Sequence, residues 1–444
     1  MRVNVFDEFE WRGMVYDATP GLRELLDREK LTAYIGFDPS AASLHVGSLL
    51  PIMGLARLQR FGHSPIAIVG GGTGMIGDPS GKTQERLLLT PEKVEENLQG
   101  IRSQLVRFLD FDAVSNPAQI VNNADWLGSI PLIDFLRDVG KYFTVNGMLA
   151  KESIRRRLEQ EDGISYTEFS YMLLQAYDFL VLYDRYGCRL QMGGSDQWGN
   201  ILAGADLIRR LRGDQAEAVV GADGNLEKSK ALAHGLVFPL VTTAGGVKFG
   251  KTEAGAVWLD PNLTSPFRFY QFWINADDRD VVSYLKSFTW LDREAVAELE
   301  EKVRVAPQER EAQRRLAREV TRAVHGESAV EKAERASGVL FGAEISELQP
   351  SDVLDIFGDV PSVNIARPQL AGEGLSLVDL LVSAGLAASK GEARRAIQGG
   401  GIYVNNRRMA EDKKNLTLAD SIGSELLVLR KGKKEYRVVR LLEG

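Results

Sequence analysis

One cysteine, four histidines and no long apolar run mark this 444-residue chain at first sight. The solitary Cys188 excludes an internal disulfide framework and any zinc site built on cysteines, and it fits a reducing compartment. Four histidines are too few to suggest a metal cage, so no protein-bound metal site is expected. No apolar run approaches the roughly 18 residues that span a bilayer. The opening MRVNVFDEFE is acidic and lacks the apolar core of a secretory signal. Together these absences predict no membrane partner and a cytoplasmic location.

What remains is the composition of a soluble globular protein, 44% hydrophobic and 26% charged, long enough for several cores. The net charge of −7 is unevenly spread. Residues 361–444 hold 14 Lys and Arg against 9 Asp and Glu, a local +5, which leaves −12 for the first 360. A basic module thus ends an acidic protein, either as a solvated face or as a surface for a polyanion.

Strand-like and helix-like segments alternate through the first half, the pattern of a parallel α/β domain. LTAYIGFD, SPIAIVGG, AQIVNN and GCRLQMGG read as strands. HVGSLLPIMGLARLQRFG and TPEKVEENLQGIRSQLVRFL read as helices, the second opened by Thr90 as N-cap and Pro91 at the first helical position. After about Ser265 the periodicity is helical throughout. SELQPSDVLDIFGDVPSVNIARPQLAGEG then collects proline and glycine and reads as a linker region, followed by a small unit of two helices and several strands. The expected division is a parallel α/β domain over 1–236, a loop and connector over 237–265, a helical domain over 266–345, a linker over 346–370 and a small α+β domain over 371–444.

The stretch GGGTGMIGDPSGKT, Gly70 to Thr83, imitates two nucleotide motifs at once. A phosphate loop requires glycine where Ile76 stands, and Pro79 removes an N–H that such a loop needs. A dinucleotide fingerprint requires an uninterrupted helix and an acidic residue ending a second strand, whereas Asp78-Pro79-Ser80-Gly81 breaks the helix. Two explanations stay open for the glycines: a tight crossing beside the sheet, or a substrate that approaches the backbone, faced by Asp78.

His45 opens a helix directly after a strand, with Gly47 behind it, a position suited to phosphate or to simple capping. VKFGKTEAG carries Lys248 and Lys251 around a glycine far downstream. Tyr171, Gln175 and Asp178 fall within about 60° of one another on one helical face, among apolar neighbours that argue for partial burial.

His45-Val-Gly-Ser48 together with Lys248-Phe-Gly-Lys251-Thr252 resembles the paired signatures of class I aminoacyl-tRNA synthetases. With GFDPSAASLHVG, GDPSGK and GGSDQWGN, the chain resembles, end to end, the bacterial tyrosyl-tRNA synthetase family, including its S4-like RNA-binding domain in LSLVDLLVSAGLAASKGEARRAIQGGGIYVNNRRM. The resemblance implies a Rossmann-like parallel-sheet catalytic domain, a helical domain and the S4-like domain. It further implies L-tyrosine, ATP with Mg²⁺ and tRNA(Tyr) as substrates, and a homodimer.

Carried over by motif, Ser40 and His45 contact the γ-phosphate, and Lys248, Lys251 and Thr252, joined by Lys82 and Arg86, grip pyrophosphate. Tyr34 and Asp178 meet the phenol, while Asp78, Tyr171 and Gln175 hold the ammonium group. Gly36, Asp38, Gly47, Ser48, Gly194, Asp196 and Gln197 match positions around ribose and adenylate; Asp196 alone could equally be an N-cap. Lys390, Arg394, Arg395, Arg407 and Arg408 form the candidate RNA face. Ser48 replaces a second histidine, Ile35 a sometimes polar residue, and the segment 213–235 has no assigned role. Two alternatives are a synthetase-derived RNA-binding protein without catalysis and a tryptophanyl-tRNA synthetase, whose indole substrate has no use for the Tyr34 and Asp178 pair.

Overall fold

The computed structural model describes residues 4–80, 89–159, 163–213, 232–246, 249–252, 255–340, 343, 345, 348–358, 360–432 and 435–443. Chain contacts divide it into two units, Met1–Leu263 with Ile274–Val324, and Thr264–Trp273 with His325–Gly444. This division is coarser than the five parts expected and runs through the helical stretch. It gives the helices Val281–Phe288 and Arg293–Val305 to the first unit and Glu327–Leu340 to the second.

A six-stranded sheet organises the first unit: β1 (Asp17–Ala18), β2 (Thr32–Phe37), β3 (Ser64–Val69), β4 (Gln119–Asn122), β5 (Cys188–Gly194) and β6 (His234–Phe238), in the order β1-β6-β5-β2-β3-β4. All neighbours are parallel except β1, which runs antiparallel to β6. The four strands expected from apolar runs are β2 to β5. In β3 every residue after Ser64 is buried, as expected of a parallel strand covered on both faces. Helix Leu49–Arg60 follows β2, and helix Pro91–Leu105 begins as the sequence predicts, with the Thr90 hydroxyl accepting the Lys93 N–H at 3.3 Å.

Between β4 and β5 runs the long helix Tyr166–Tyr186, started by Ser165, which accepts from the Glu168 N–H, and stopped by Gly187 in the left-handed conformation at φ 62°. It packs on helix Trp198–Arg212. Gly204 permits that contact, since a Cβ there would stand 2.9 Å from the Phe179 ring. Arg57, fully buried on helix Leu49–Arg60, donates to the carbonyls of Lys286, Ser287 and Thr289 and so caps the end of helix Val281–Phe288. Burial pushes its guanidinium well below the ordinary range.

In the second unit a five-stranded sheet runs in the order Arg407–Arg408, Ile402–Val404, Leu426–Lys431, Glu435–Leu442, Ser362–Ala366. Helices Leu377–Ser383 and Lys390–Gln398 cover it, burying Leu377, Leu381 and Ile397 with Leu427, Leu429 and Val439. The stretch read as a linker is structured: it holds helix Pro350–Ile356 and strand Ser362–Ala366, the latter parallel to Glu435–Leu442 at the sheet edge. Its prolines are start signals here. Pro350 occupies the first helical turn, and Pro361 precedes an edge strand, so neither removes a needed N–H.

Candidate active site

β3 and β4 succeed β2 on one side, whereas β5 and β6 lie on the other, so the chain order reverses between β2 and β5. A crevice outside the C-terminal ends of such strands is where open α/β sheets bind ligands. Here it is a cavity of ≈ 350 Å³. β2 and the turn after it supply Tyr34, Gly36, Asp38 and Ser40; the next helix start supplies His45, Gly47 and Ser48; the long helix supplies Tyr171, Gln175 and Asp178. Asp78 follows β3, and Gly194, Asp196 and Gln197 follow β5. The structure thus brings together the fourteen of these expected residues that it describes with their side chains in unit 1.

At the floor, Asp178 is 3% exposed and its two oxygens accept from Trp126 Nε1 at 2.7 Å and Asn123 Nδ2 at 2.9 Å. Burial pushes its carboxyl up to about 7 against these two donors, which favour the charged form. The Tyr34 hydroxyl is buried and, among the described residues, has no hydrogen-bond partner. Burial and then the Asp178 charge push the Tyr34 phenol well above its ordinary range. A buried donor without a partner costs on the order of 1–3 kcal/mol, so this hydroxyl and the remaining lone pairs of Asp178 suit a hydroxyl-bearing ring.

Nearer the sheet edge a second polar group forms around Asp78, which accepts from Gln197 Nε2 at 2.7 Å and the Ser80 N–H at 2.9 Å. Gln175 donates to Gln197 at 3.2 Å, and Asn200 donates to Gln175 at 3.0 Å. The Tyr171 hydroxyl donates to Asp38 at 3.1 Å, its phenol held well above the ordinary range by burial and then by Asp38 and Asp78. Asp38, Asp78 and Asp178 face a cavity that, among the described residues, has no lysine or arginine in its lining. That favours a cationic group on the ligand.

Two glycines of the β3 turn are closely packed, and Gly70 also lines the cavity. A Cβ on Gly70 would stand 2.4 Å from Asp38 Oδ1, and one on Gly71 would stand 2.2 Å from Asn122 Oδ1. Asp196 lies inside the 3₁₀ turn Ser195–Gln197, whose N-cap position belongs to Gly194, so the N-cap alternative for Asp196 is not realised. His45 does cap its turn: Nδ1 accepts the Gly47 N–H at 3.0 Å.

The second signature packs beside the first. Phe249 stacks on Phe288 with ring centroids 5.3 Å apart and lies 5.0 Å from the Tyr284 ring. Gly250 has φ +80°, and a Cβ there would meet Val46 Cγ2 at 2.6 Å. Lys251–Thr252 pairs with Gly255–Ala256 as a short ribbon; the structure describes the backbone of Lys251 and Thr252 and not their side chains. Lys82, Arg86, Lys248 and most of 213–235 lie outside the described residues.

In the second unit Lys390, Arg394, Arg395, Arg407 and Arg408 are all exposed. Lys390 pairs with Asp379 at 2.6 Å, and Arg408 Nε donates to the Gly400 carbonyl at 3.1 Å, next to the end of helix Lys390–Gln398. Sequence reasoning missed Thr73, Asn123, Trp126, Gln191 and Trp258. Asn123 ends AQIVNN and Trp126 stands three residues past it, and the C-terminal end of a predicted parallel strand was the available signal; the others had none.

Residues 26–342 match the family described as tRNA synthetases class I (W and Y), and residues 352–439 match the tyrosine–tRNA ligase SYY-like C-terminal domain. The chain is 57% identical to the tyrosine–tRNA ligase of Roseiflexus castenholzii over 99% of each chain. It is 52% identical to that of Bacillus caldotenax over 99% of this chain and 100% of the relative. The chain belongs to the tyrosine–tRNA ligase family. Among solved structures, the C-terminally truncated mitochondrial tyrosyl-tRNA synthetase of Aspergillus nidulans superposes with a TM-score of 0.67 at 30% identity, over 76% of this chain and 94% of that one. For a tyrosine–tRNA ligase the Tyr34 hydroxyl and the Asp178 carboxylate are intelligible features together, whereas an indole, a donor only, offers the Tyr34 hydroxyl no acceptor.

Proposed function

We propose that this chain activates L-tyrosine with ATP to give tyrosyl-adenylate and pyrophosphate, then transfers tyrosine to the terminal adenosine of tRNA(Tyr). The carrying observation is the pairing of a buried, partnerless Tyr34 hydroxyl with a buried Asp178 at the floor of the cavity. The tyrosine phenol hydrogen-bonds both, and its ammonium group sits among Asp78, Tyr171 and Gln175. Its carboxylate attacks the α-phosphorus of ATP in line: a carboxylate O–P bond forms as the P–O bond to pyrophosphate breaks. The nucleophile is already ionised, so the protein supplies position and charge and no general base.

Around the nucleotide, Ser40 and His45 meet the γ-phosphate, with Gly36, Asp38, Gly47, Ser48, Gly194, Asp196 and Gln197 around ribose and adenylate. Lys82, Arg86, Lys248, Lys251 and Thr252 stabilise the departing pyrophosphate, and Mg²⁺ enters with ATP as part of the substrate. The exposed basic residues of the second unit hold the RNA in an S4-like domain, and the location is the cytoplasm. No described helix is long and apolar enough to cross a membrane.

The protein is proposed to act as a homodimer; the exposed apolar side chains Leu132, Ile133, Leu136 and Val145 suit burial against a second copy. The assembled carboxylate cluster and signatures favour this reading over a non-catalytic RNA-binding protein, which has no use for them together. ATP–pyrophosphate exchange with each standard amino acid tests it. Tyrosine alone is expected to stimulate exchange, and stimulation by tryptophan, or by none, would refute it.

A further inference from the structure

The first signature has a strand partner that neither signature supplies. Segment Val257–Leu259 runs antiparallel to Leu44–Val46: the Val46 N–H donates to the Val257 carbonyl at 2.9 Å, the Leu259 N–H to the Leu44 carbonyl at 2.9 Å, and His45 bridges to Trp258. The same segment reaches the second signature, because the Val257 N–H donates to the Gly250 carbonyl at 3.1 Å.

Within this ribbon the Trp258 indole meets the His45 imidazole edge to face, centroids 6.1 Å apart at 66°. Both rings line the cavity. Gly47 lies under the imidazole on another side; a Cβ there would stand 2.6 Å from His45 Cε1. Three contacts help to locate the His45 ring: the Gly47 N–H on Nδ1, the bare Gly47 Cα, and the Trp258 ring. With Nδ1 accepting, the neutral ring carries its proton on Nε2, the arrangement that donates to a phosphate oxygen.

We propose that Trp258 is a positioning residue for His45: its indole fixes the imidazole for phosphate contact and, through Val257 and Gly250, ties that orientation to the docking of Phe249 and Gly250. Because His45 is read above as a phosphate ligand, this role rests on that reading. The Gly47 hydrogen bond holds one ring nitrogen, and the aromatic edge contact restricts the swing about the side-chain torsions that remains. The benefit belongs to the nucleotide half of the site, so tyrosine recognition is left out of it.

The test is a double-mutant cycle in ATP–pyrophosphate exchange with Trp258→Leu, Trp258→Phe and His45→Ala, each checked for tyrosine binding to confirm a folded site. Trp258→Leu is expected to lower kcat about tenfold with tyrosine KM within about twofold, since misplacing one phosphate contact acts on the transition state. Trp258→Phe keeps an aromatic edge and is expected to lose less than about threefold. In the His45→Ala background Trp258→Leu is expected to cost less than about twofold. An equal loss in both backgrounds would make Trp258 a scaffold residue and overturn the proposal alone. No loss from His45→Ala itself would overturn the role of His45 and the proposal with it.

Discussion

Asp178 sits where a charge is costly and a neutral acid is poorly matched to its neighbours. Trp126 and Asn123 both donate to it, yet burial holds its carboxyl near 7. A phenolic donor arriving from the cavity favours the ionised form, so binding of tyrosine releases a proton wherever the free site is protonated. Tyrosine affinity is therefore expected to rise with pH between about 6 and 8 and then level, a slope that Asp178→Asn removes; calorimetric titration across that range checks it, and identical slopes in both proteins would contradict it.

The stability sign runs the other way. With the folded value about 7 above the ordinary 3.8, the unliganded fold keeps this contribution below about pH 4 and loses it as pH rises through 7. At the same floor, Tyr34→Phe removes one neutral partner proposed for the phenol and is expected to reduce selectivity for tyrosine over phenylalanine roughly tenfold in kcat/KM, in line with about 0.5–1.5 kcal/mol for such a bond. Asp178→Asn should cost more, because a charge-assisted acceptor is lost. Equal loss for both amino acids would show that these residues do not read the hydroxyl.

At the scale of elements, the second signature depends on what packs behind it. Arg57 and Arg12 both donate to the Lys286 carbonyl and fix the end of helix Val281–Phe288, whose Tyr284 and Phe288 receive Phe249. The next residue, Gly250, combines a left-handed φ of +80° with no room for a Cβ beside Val46. An alanine there meets both penalties, about 1 kcal/mol or more for the backbone alone. Gly250→Ala is expected to lower kcat for exchange by at least about tenfold while leaving tyrosine KM near its starting value, because the role proposed for the loop is with pyrophosphate and not with the amino acid. A variant with unchanged kcat would show that the docked loop is not the active arrangement.

Across the whole molecule the acidic first part carries the site proposed for the small substrates, and the basic last part presents Arg394, Arg395, Arg407 and Arg408 to solvent. Each exposed cation is worth little to stability and can be worth a counterion release on RNA. Arg394→Glu with Arg395→Glu is expected to leave tyrosine-dependent exchange within about twofold and to weaken tRNA(Tyr) charging at limiting tRNA by about tenfold or more, with a shallower salt dependence of binding. Full charging by this variant would identify the patch as a solvated face.

The order of elements was legible in the sequence because local rules govern it. SPIAIVGG and GCRLQMGG read as strands, Thr90-Pro91 reads as a helix start, and HVGS with KFGKT carries its meaning as a pair. Residue types at fixed spacing likewise put Tyr171, Gln175 and Asp178 on one face. Long-range placement was not legible. Nothing local distinguishes a proline that breaks the chain from Pro350, which starts a helix, or from Pro361, which leads into an edge strand paired with residues more than 70 positions away. Only the tertiary structure brought Trp126 and Asn123 to Asp178, left the Tyr34 hydroxyl without a partner, and set Trp258 against His45. A sequence records which groups can hydrogen-bond; which of them remain unpaired, and facing what, is fixed by packing between segments far apart in the chain.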